Sequence, residues 1–372
     1  MKYPPRGLHP YTPQGHGKVA PMPLSEYKPP FPWFGGKSTI AHEVWARFGD
    51  VANYVEPFFG SGAVMFLRPT APRIETVNDK DKFVANFWRA LQAAPDQVAK
   101  WADWPVNEAD LHARHLWLVN QHNFLDRMSS DPDYFDAKIA GWWVWGISQW
   151  IGGGWCSKPN WKERPHLADA GMGVHRLRLK TPRLSGGQGI HRKRPHLMSN
   201  KGVHRLSHQL PHVGNGGRGG HRAQLGDIQD YLQTLAARLR RVRVTCGDWQ
   251  RVLGPSVTTG IGLTGVFLDP PYTEEAGRDK ELYAVEDLSV AHRVREWAIA
   301  NGDSPKMRIA LCGYEGEHAM PDNWTVLEWK ARGGYGSQNK AGNDNPHKER
   351  IWFSPHCLSV ERAKQAVMDF AA

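Results

Sequence analysis

Asp269-Pro270-Pro271-Tyr272 follows the apolar run Gly265-Val266-Phe267-Leu268, so a carboxylate, two prolines and an aromatic ring leave a buried strand together. A carboxylate kept from water accepts a hydrogen bond from an exocyclic NH2 group. Proline has no backbone N–H and a fixed φ, which lets the Pro270 carbonyl be held as a second acceptor. Tyr272 adds a flat face for stacking. The four residues therefore suit a planar amine. Taken alone they suit equally well a strand that ends in a Pro-Pro turn with a capping Asp.

A second group has the spacing of a nucleotide site. The short strand Asn53 to Phe58 carries Glu56-Pro57 at its end and runs into the tight loop Phe59-Gly60-Ser61-Gly62, after which Ala63 to Leu67 opens an apolar helix. The next strand, Arg73 to Val77, ends in Asn78-Asp79. Asp79 lies nineteen residues past Gly60, the usual placement of an acid that binds ribose hydroxyls in α/β nucleotide folds. The glycines let the backbone approach a ligand at a helix N-terminus. The third glycine of G-x-G-x-x-G is missing and no P-loop lysine follows, so a nucleoside cofactor without a pyrophosphate fits better than NAD.

The elements that must position these groups alternate. Trp33-Phe34-Gly35-Gly36-Lys37-Ser38 reads as a glycine turn, with Ser38 capping a helix through Ile40, Val44 and Phe48. Strand, glycine loop, helix and strand with an acid at its tip open a doubly wound α/β fold. From about Asp96 to Trp155 the chain reads as helical and rich in tryptophan. Trp142, Trp143 and Trp145 are too close in sequence to share one helix face, so at least one points away from the core. Alternation resumes with a helix Ile228 to Leu239, strands Val242 to Cys246 and Gly265 to Leu268, a helix Leu288 to Ala300, and strands Arg308 to Cys312, Trp324 to Trp329 and Arg350 to Phe353. A polar, glycine-containing loop through 333–345 separates the last two strands.

The chain has 372 residues and a net charge of +10, and that charge is concentrated. Residues 157–225 hold fourteen Lys and Arg against two acids, while the rest of the chain is slightly acidic. A polyanion such as nucleic acid is the expected partner of this segment, against the alternative of a solvated basic loop. Within it Arg164-Pro165-His166-Leu167 recurs as Arg194-Pro195-His196-Leu197, about thirty residues on, a local duplication too short for a solenoid. Its eight histidines have no cysteine partners, and only His204/His208 and His208/His212 have a tight spacing. No metal is expected; Arg, His and Gly mixed at this density make an adaptable surface against phosphates. The four scattered cysteines fit a reduced interior, and no signal peptide or apolar membrane span is read, so a cytoplasmic setting is expected.

In this order along the chain, the motifs resemble the Dam-type DNA adenine-N6 methyltransferases, over roughly residues 31–160 and 226–355. The turn from Trp33 to Lys37 is similar to that family's N-terminal motif, and Val55 to Gly62 to its AdoMet loop. The resemblance implies S-adenosyl-L-methionine as cofactor, bound by Trp33, Lys37, Glu56, Pro57, Phe58, Gly60 and Gly62. It further implies Asp79 on the ribose, Asp248 and Trp249 beside the cofactor's adenine, and Asp269, Pro270, Pro271 and Tyr272 as the catalytic motif. It implies nothing for the basic insert.

The expected architecture is a Rossmann-like methyltransferase fold in two sequence-separated parts. Residues 1–30 form a Pro/Gly-rich tail, 31–95 the cofactor-binding part and 226–360 the catalytic part, with 361–372 as a C-terminal tail. Between the parts lies a target-recognition region, 96–225, that includes the insert 157–225. Arg176, Arg178, Arg183, Arg192, Lys193, Arg194 and Arg205 are the expected phosphate contacts. The expected substrate is double-stranded DNA with its target adenine flipped out, modified by a monomer or weak dimer in a bacterial or phage-infected cell. Three rivals stay open: cytosine N4 as the target, RNA as the polymer, and a DNA-binding protein without catalysis.

Overall fold

The computed structural model describes residues 27–33, 36–150, 155–156, 228–272, 290–329, 349–359 and 361. The basic insert with its seven expected phosphate contacts, and the loop through 333–345, lie outside these residues.

Seven strands form one sheet: β1 (Asn53–Glu56), β2 (Ile74–Asp79), β3 (Val242–Cys246), β4 (Thr264–Leu268), β5 (Met307–Tyr314), β6 (Thr325–Glu328) and β7 (Glu349–Phe353), in the order β3-β2-β1-β4-β5-β7-β6. The five strands from β3 to β5 are parallel, and β7 runs antiparallel to both β5 and β6. Every residue of β1 and β4 is buried, as a parallel strand covered on both faces requires. The order reverses between β1 and β4. At such a switch point the chain leaves neighbouring strands in opposite directions and opens a crevice at their carboxyl ends.

Nine α-helices accompany the sheet among the described residues: α1 (Ala41–Phe48), α2 (Ala63–Phe66), α3 (Lys82–Ala93), α4 (Pro95–Ala102), α5 (Glu108–Val119), α6 (His122–Ser130), α7 (Ala137–Ile147), α8 (Ile228–Leu239) and α9 (Val290–Gly302). Their starts follow local chemistry. Asp81, Asn107 and Asp136 each accept backbone N–H bonds from the first turns of α3, α5 and α7, and Pro95 opens α4. Ser38 does not cap α1 as expected: it lies exposed inside the 3-10 turn Lys37–Thr39, and no side chain caps the helix.

Helix α7 is apolar nearly all round, so it buries both sides. Trp143 and Trp145 are fully enclosed, while Trp142 is half-buried and meets Trp101 and Trp117 edge-on. Helices α4 and α7 pack on α3 and α8, so the tryptophan-rich region is joined to the sheet domain by a continuous core.

One residue departs from the compositional reading. Tyr27, within the span 1–30 taken as tail, is buried and stacks near Phe66 with centroids 6.2 Å apart. Phe31 is enclosed by Phe87, Trp88 and Trp143. Frequent prolines hid Tyr27, while Phe31 lies just past the expected end of the tail. Deep below the sheet, Glu75 accepts from Arg238 Nη1 at 2.6 Å, Arg238 Nη2 at 2.9 Å and Arg68 Nη1 at 3.3 Å, a buried triad that fixes α8 to β2.

Candidate active site

The carboxyl ends of β1, β2, β3 and β4 surround one cleft with about 980 Å³ of empty space, open mouth included, within the range of small-molecule sites. Strand β1 delivers Glu56 and Pro57, β2 delivers Asp79, β3 leads through Gly247 into Asp248, and β4 delivers Asp269. Residues more than two hundred positions apart therefore meet because parallel strands all end on one edge.

The glycine loop is tied down from three sides. Gly60 N–H donates to Asp79 Oδ2 at 2.9 Å, and Trp88 Nε1 donates to the Gly60 carbonyl at 2.9 Å. Asn78 Nδ2 donates to the carbonyls of Pro57 and Gly247, both at 3.0 Å, and so holds the β1 and β3 loops together. Gly60 has φ +47°, and a Cβ there would lie 2.4 Å from Trp33 Nε1. Glycine at this position makes room for the Trp33 indole in the first instance. Gly62, at φ +71°, is the left-handed cap of α2.

Asp79 Oδ1 accepts from Asp81 N–H at 2.8 Å. Burial, reinforced by the Asp81 charge, pushes the Asp79 carboxyl up to about 7. Asp248 Oδ1 accepts from Gln250 N–H at 3.0 Å. Trp249 is buried and stacks with Phe58 at 6.3 Å, and its indole N–H has no partner among the described residues. Glu56 is buried at the floor of the cleft, where Tyr54 Oη donates to its Oε2 at 2.8 Å. Burial raises the Glu56 carboxyl well above the carboxylate range against the opposing Tyr54 bond. Carboxylates at the ends of β2 and β3, a left-handed glycine loop and two aromatic rings make a donor set that fits a nucleoside.

At the other side, Asp269 and Pro271 line the cleft while Pro270 is buried. Lys37, expected at the cofactor, lines the cleft and also pairs with Asp269, its Nζ 3.0 Å from Asp269 Oδ1. The same ammonium donates to Tyr272 Oη at 3.0 Å and lies 3.8 Å from Glu349 Oε2. Burial alone would depress Lys37, but Asp269 and Glu349 outweigh it and hold the ammonium above its ordinary range. Tyr272 is 8 % exposed, its ring edge-on to Tyr314 at 4.6 Å, its hydroxyl directed into this charged group. Burial, then the Asp269 and Glu349 charges, push the phenol well above its usual value.

Sequence reasoning missed Glu349 and Asn78. The only sign of Glu349 was an acid at the start of the otherwise apolar strand Ile351-Trp352-Phe353. Asn78 was visible only as the neighbour of Asp79.

Fold and site together give an α/β protein with a cleft at the topological switch point and a partly buried, cation-braced carboxylate at its rim. Residues 33–123 match the family of D12 class N6 adenine-specific DNA methyltransferases. This stretch is similar to that family, and the match supports a Dam-type adenine methyltransferase and with it an enzyme. The match spans the Trp33 turn, the glycine loop and Asp79; Asp248, Asp269 and Glu349 lie beyond it. A search of curated proteins returned no match. Among the described residues no helix is long and apolar enough to cross a membrane.

Proposed function

We propose that the enzyme transfers a methyl group from S-adenosyl-L-methionine to N6 of an adenine flipped out of duplex DNA. One observation carries this reading: Asp269 stands at the rim of the same cleft whose other wall holds Asp79 and Asp248. Bound there, the cofactor supplies an electrophilic methyl group on a sulfonium. Asp79 would accept from its ribose hydroxyls. Asp248, whose Oδ1 alone is engaged among the described residues, would offer Oδ2 beside Trp249 and Phe58 to its adenine.

Asp269 uses Oδ1 for Lys37 and Tyr272, which leaves Oδ2 for an amine hydrogen, with the Pro270 carbonyl as the second acceptor. Holding both hydrogens turns the nitrogen lone pair toward the methyl group, and positioning with charge stabilisation supplies most of the rate. The Tyr272 hydroxyl bonds fix its ring as a wall for the base. An amine stacked inside a duplex is out of reach, hence the flip.

The helical region and the basic insert, 96–225, would form the target-recognition region between the two parts of the catalytic domain, 31–95 and 226–360. Arg176, Arg178, Arg183, Arg192, Lys193, Arg194 and Arg205 would contact phosphates. The enzyme would act as a monomer or weak dimer in the cytoplasm. Transfer of tritiated methyl groups to duplex DNA, followed by sequencing that detects modified bases, tests this reading. N6-methyladenine in a fixed sequence context is expected. N4-methylcytosine, label in RNA alone, or no transfer would overturn it.

A further inference from the structure

Methylation of a neutral amine forms an N–C bond while the sulfonium C–S bond breaks and sulfur keeps the electron pair. The nitrogen is left with one proton too many. The cluster behind Asp269 has the composition to take it. Lys37 carries one positive charge against the carboxylates of Asp269 and Glu349, so the group is formally −1 and becomes neutral on gaining one proton. Lys37 and Glu349 side chains are each 4 % exposed, against 21 % for Asp269. Asp269 is thus the most open member, and it lines the cleft together with Lys37.

The hydrogen-bond directions add a path. Lys37 donates to Tyr272 Oη, so the phenol proton points to a carboxylate: Glu349 Oε2 at 2.9 Å or Asp269 Oδ1 at 3.2 Å. The hydroxyl can accept a proton from one acid while giving its own to the other. Resting on the reading of the site given above, we infer that Glu349 is a positioning residue that ends a proton path: the methylated amine gives its proton to Asp269 Oδ2, the neutral carboxyl turns about its Cβ–Cγ bond to present that O–H to Tyr272 Oη, and Tyr272 delivers its own proton to Glu349 as it takes this one.

Burial, opposed by Lys37, holds the Glu349 carboxyl above the ordinary range, which makes it the readier acceptor. The groups that bear on it come from every packed element. They are Lys37 from the 3-10 turn, Asp269 and Tyr272 after β4, Cys312 on β5, Glu317 just beyond β5, and its own neighbour Arg350.

Glu349→Gln keeps the shape and removes the acceptor; Tyr272→Phe keeps the ring and removes the relay. Single-turnover methyl transfer to a duplex oligonucleotide, measured from about pH 6 to about pH 9, should be slowed about 10- to 100-fold in either variant. The loss should shrink as pH rises and solvent base takes over. Cofactor and DNA binding by calorimetry should match the parent, and the double variant should be no slower than either single one. An infrared pH titration of the cofactor-free protein gives a readout apart from activity: a carboxyl band protonating above the usual carboxylate range, absent from E349Q. Parent-like turnover at every pH, a pH-independent loss, or additive losses would overturn the path. If E349Q does not fold, Y272F alone decides by the same criteria. A parent enzyme that fails to methylate adenine refutes the function; an active parent and inactive Asp269→Ala beside parent-like E349Q and Y272F refute only the path.

Discussion

Asp269→Ala removes the carboxylate at the end of β4 while leaving the second carboxylate of Lys37 in place. At an effective dielectric constant of about 20, the 3.0 Å contact to Lys37 corresponds to about 5–6 kcal/mol of gross attraction, and the 3.8 Å contact to Glu349 to about 4–5 kcal/mol. Lys37 is therefore not stranded. Asp269 is also 21 % exposed, which screens its share, so the net stability loss should be about 1–3 kcal/mol, short of unfolding. The rate should suffer more. Loss of a preorganised partner at the reacting amine lowers turnover by about 10²- to 10³-fold, or about 3–4 kcal/mol. Single-turnover transfer of tritiated methyl groups measures the rate, calorimetry the cofactor affinity, and a thermal melt the fold. Cofactor affinity should change by less than about tenfold, about 1.4 kcal/mol. Turnover within about threefold of the parent, in a folded variant that binds cofactor normally, would refute the assignment of Asp269 to the amine.

Gly60→Val should displace the Trp33 indole and strain a positive φ by about 1–3 kcal/mol, so weaker cofactor binding by calorimetry should come with a changed tryptophan fluorescence. Asp79 has a folded-state pKa of about 7, above its unfolded value of about 4; its contribution to stability is full at low pH and lost as pH rises through 7. Asp79→Asn should flatten that decline in melts of the cofactor-free protein and weaken cofactor binding. Glu75→Gln takes the carboxylate from buried Arg238 and leaves buried Arg68 only Asp50 at 3.7 Å, and should cost about 3–5 kcal/mol in denaturant unfolding. Neutralising Arg176, Arg178, Arg183, Arg192, Lys193, Arg194 and Arg205 should weaken DNA binding at all sequences and flatten its salt slope by about 0.9 for each phosphate that no longer meets a cation. An unchanged slope with an altered methylation motif would make the insert a base reader.

Some elements were legible because their signal is local. Helix Ile228–Leu239 and strand Val242–Cys246 carry their own periodicity and β-branched residues, and the structure ends both where the sequence does. The class of fold followed from strands ending in Glu56-Pro57, Asn78-Asp79 and Asp269, each with turn residues behind it. Other decisions needed the folded chain. Nothing in the sequence indicates that β7 inserts between β5 and β6, since both flanking pairings are antiparallel and set by register rather than by composition. That insertion places Glu349 at the active-site end, beside Tyr272, 77 residues earlier. Lys37 read as a cofactor residue from its motif; it lines the cleft, and the charge of two distant carboxylates also pairs it with Asp269, which the motif did not indicate. Gly60 read as space for a ligand; it lines the cleft, and the room its missing Cβ leaves is taken by Trp33. Local sequence determines which segments become strands and where their polar tips fall; it does not encode which tips face each other. Burial and charge pairing across the sheet edge decide that, because they depend on contacts that exist only after the strands are ordered.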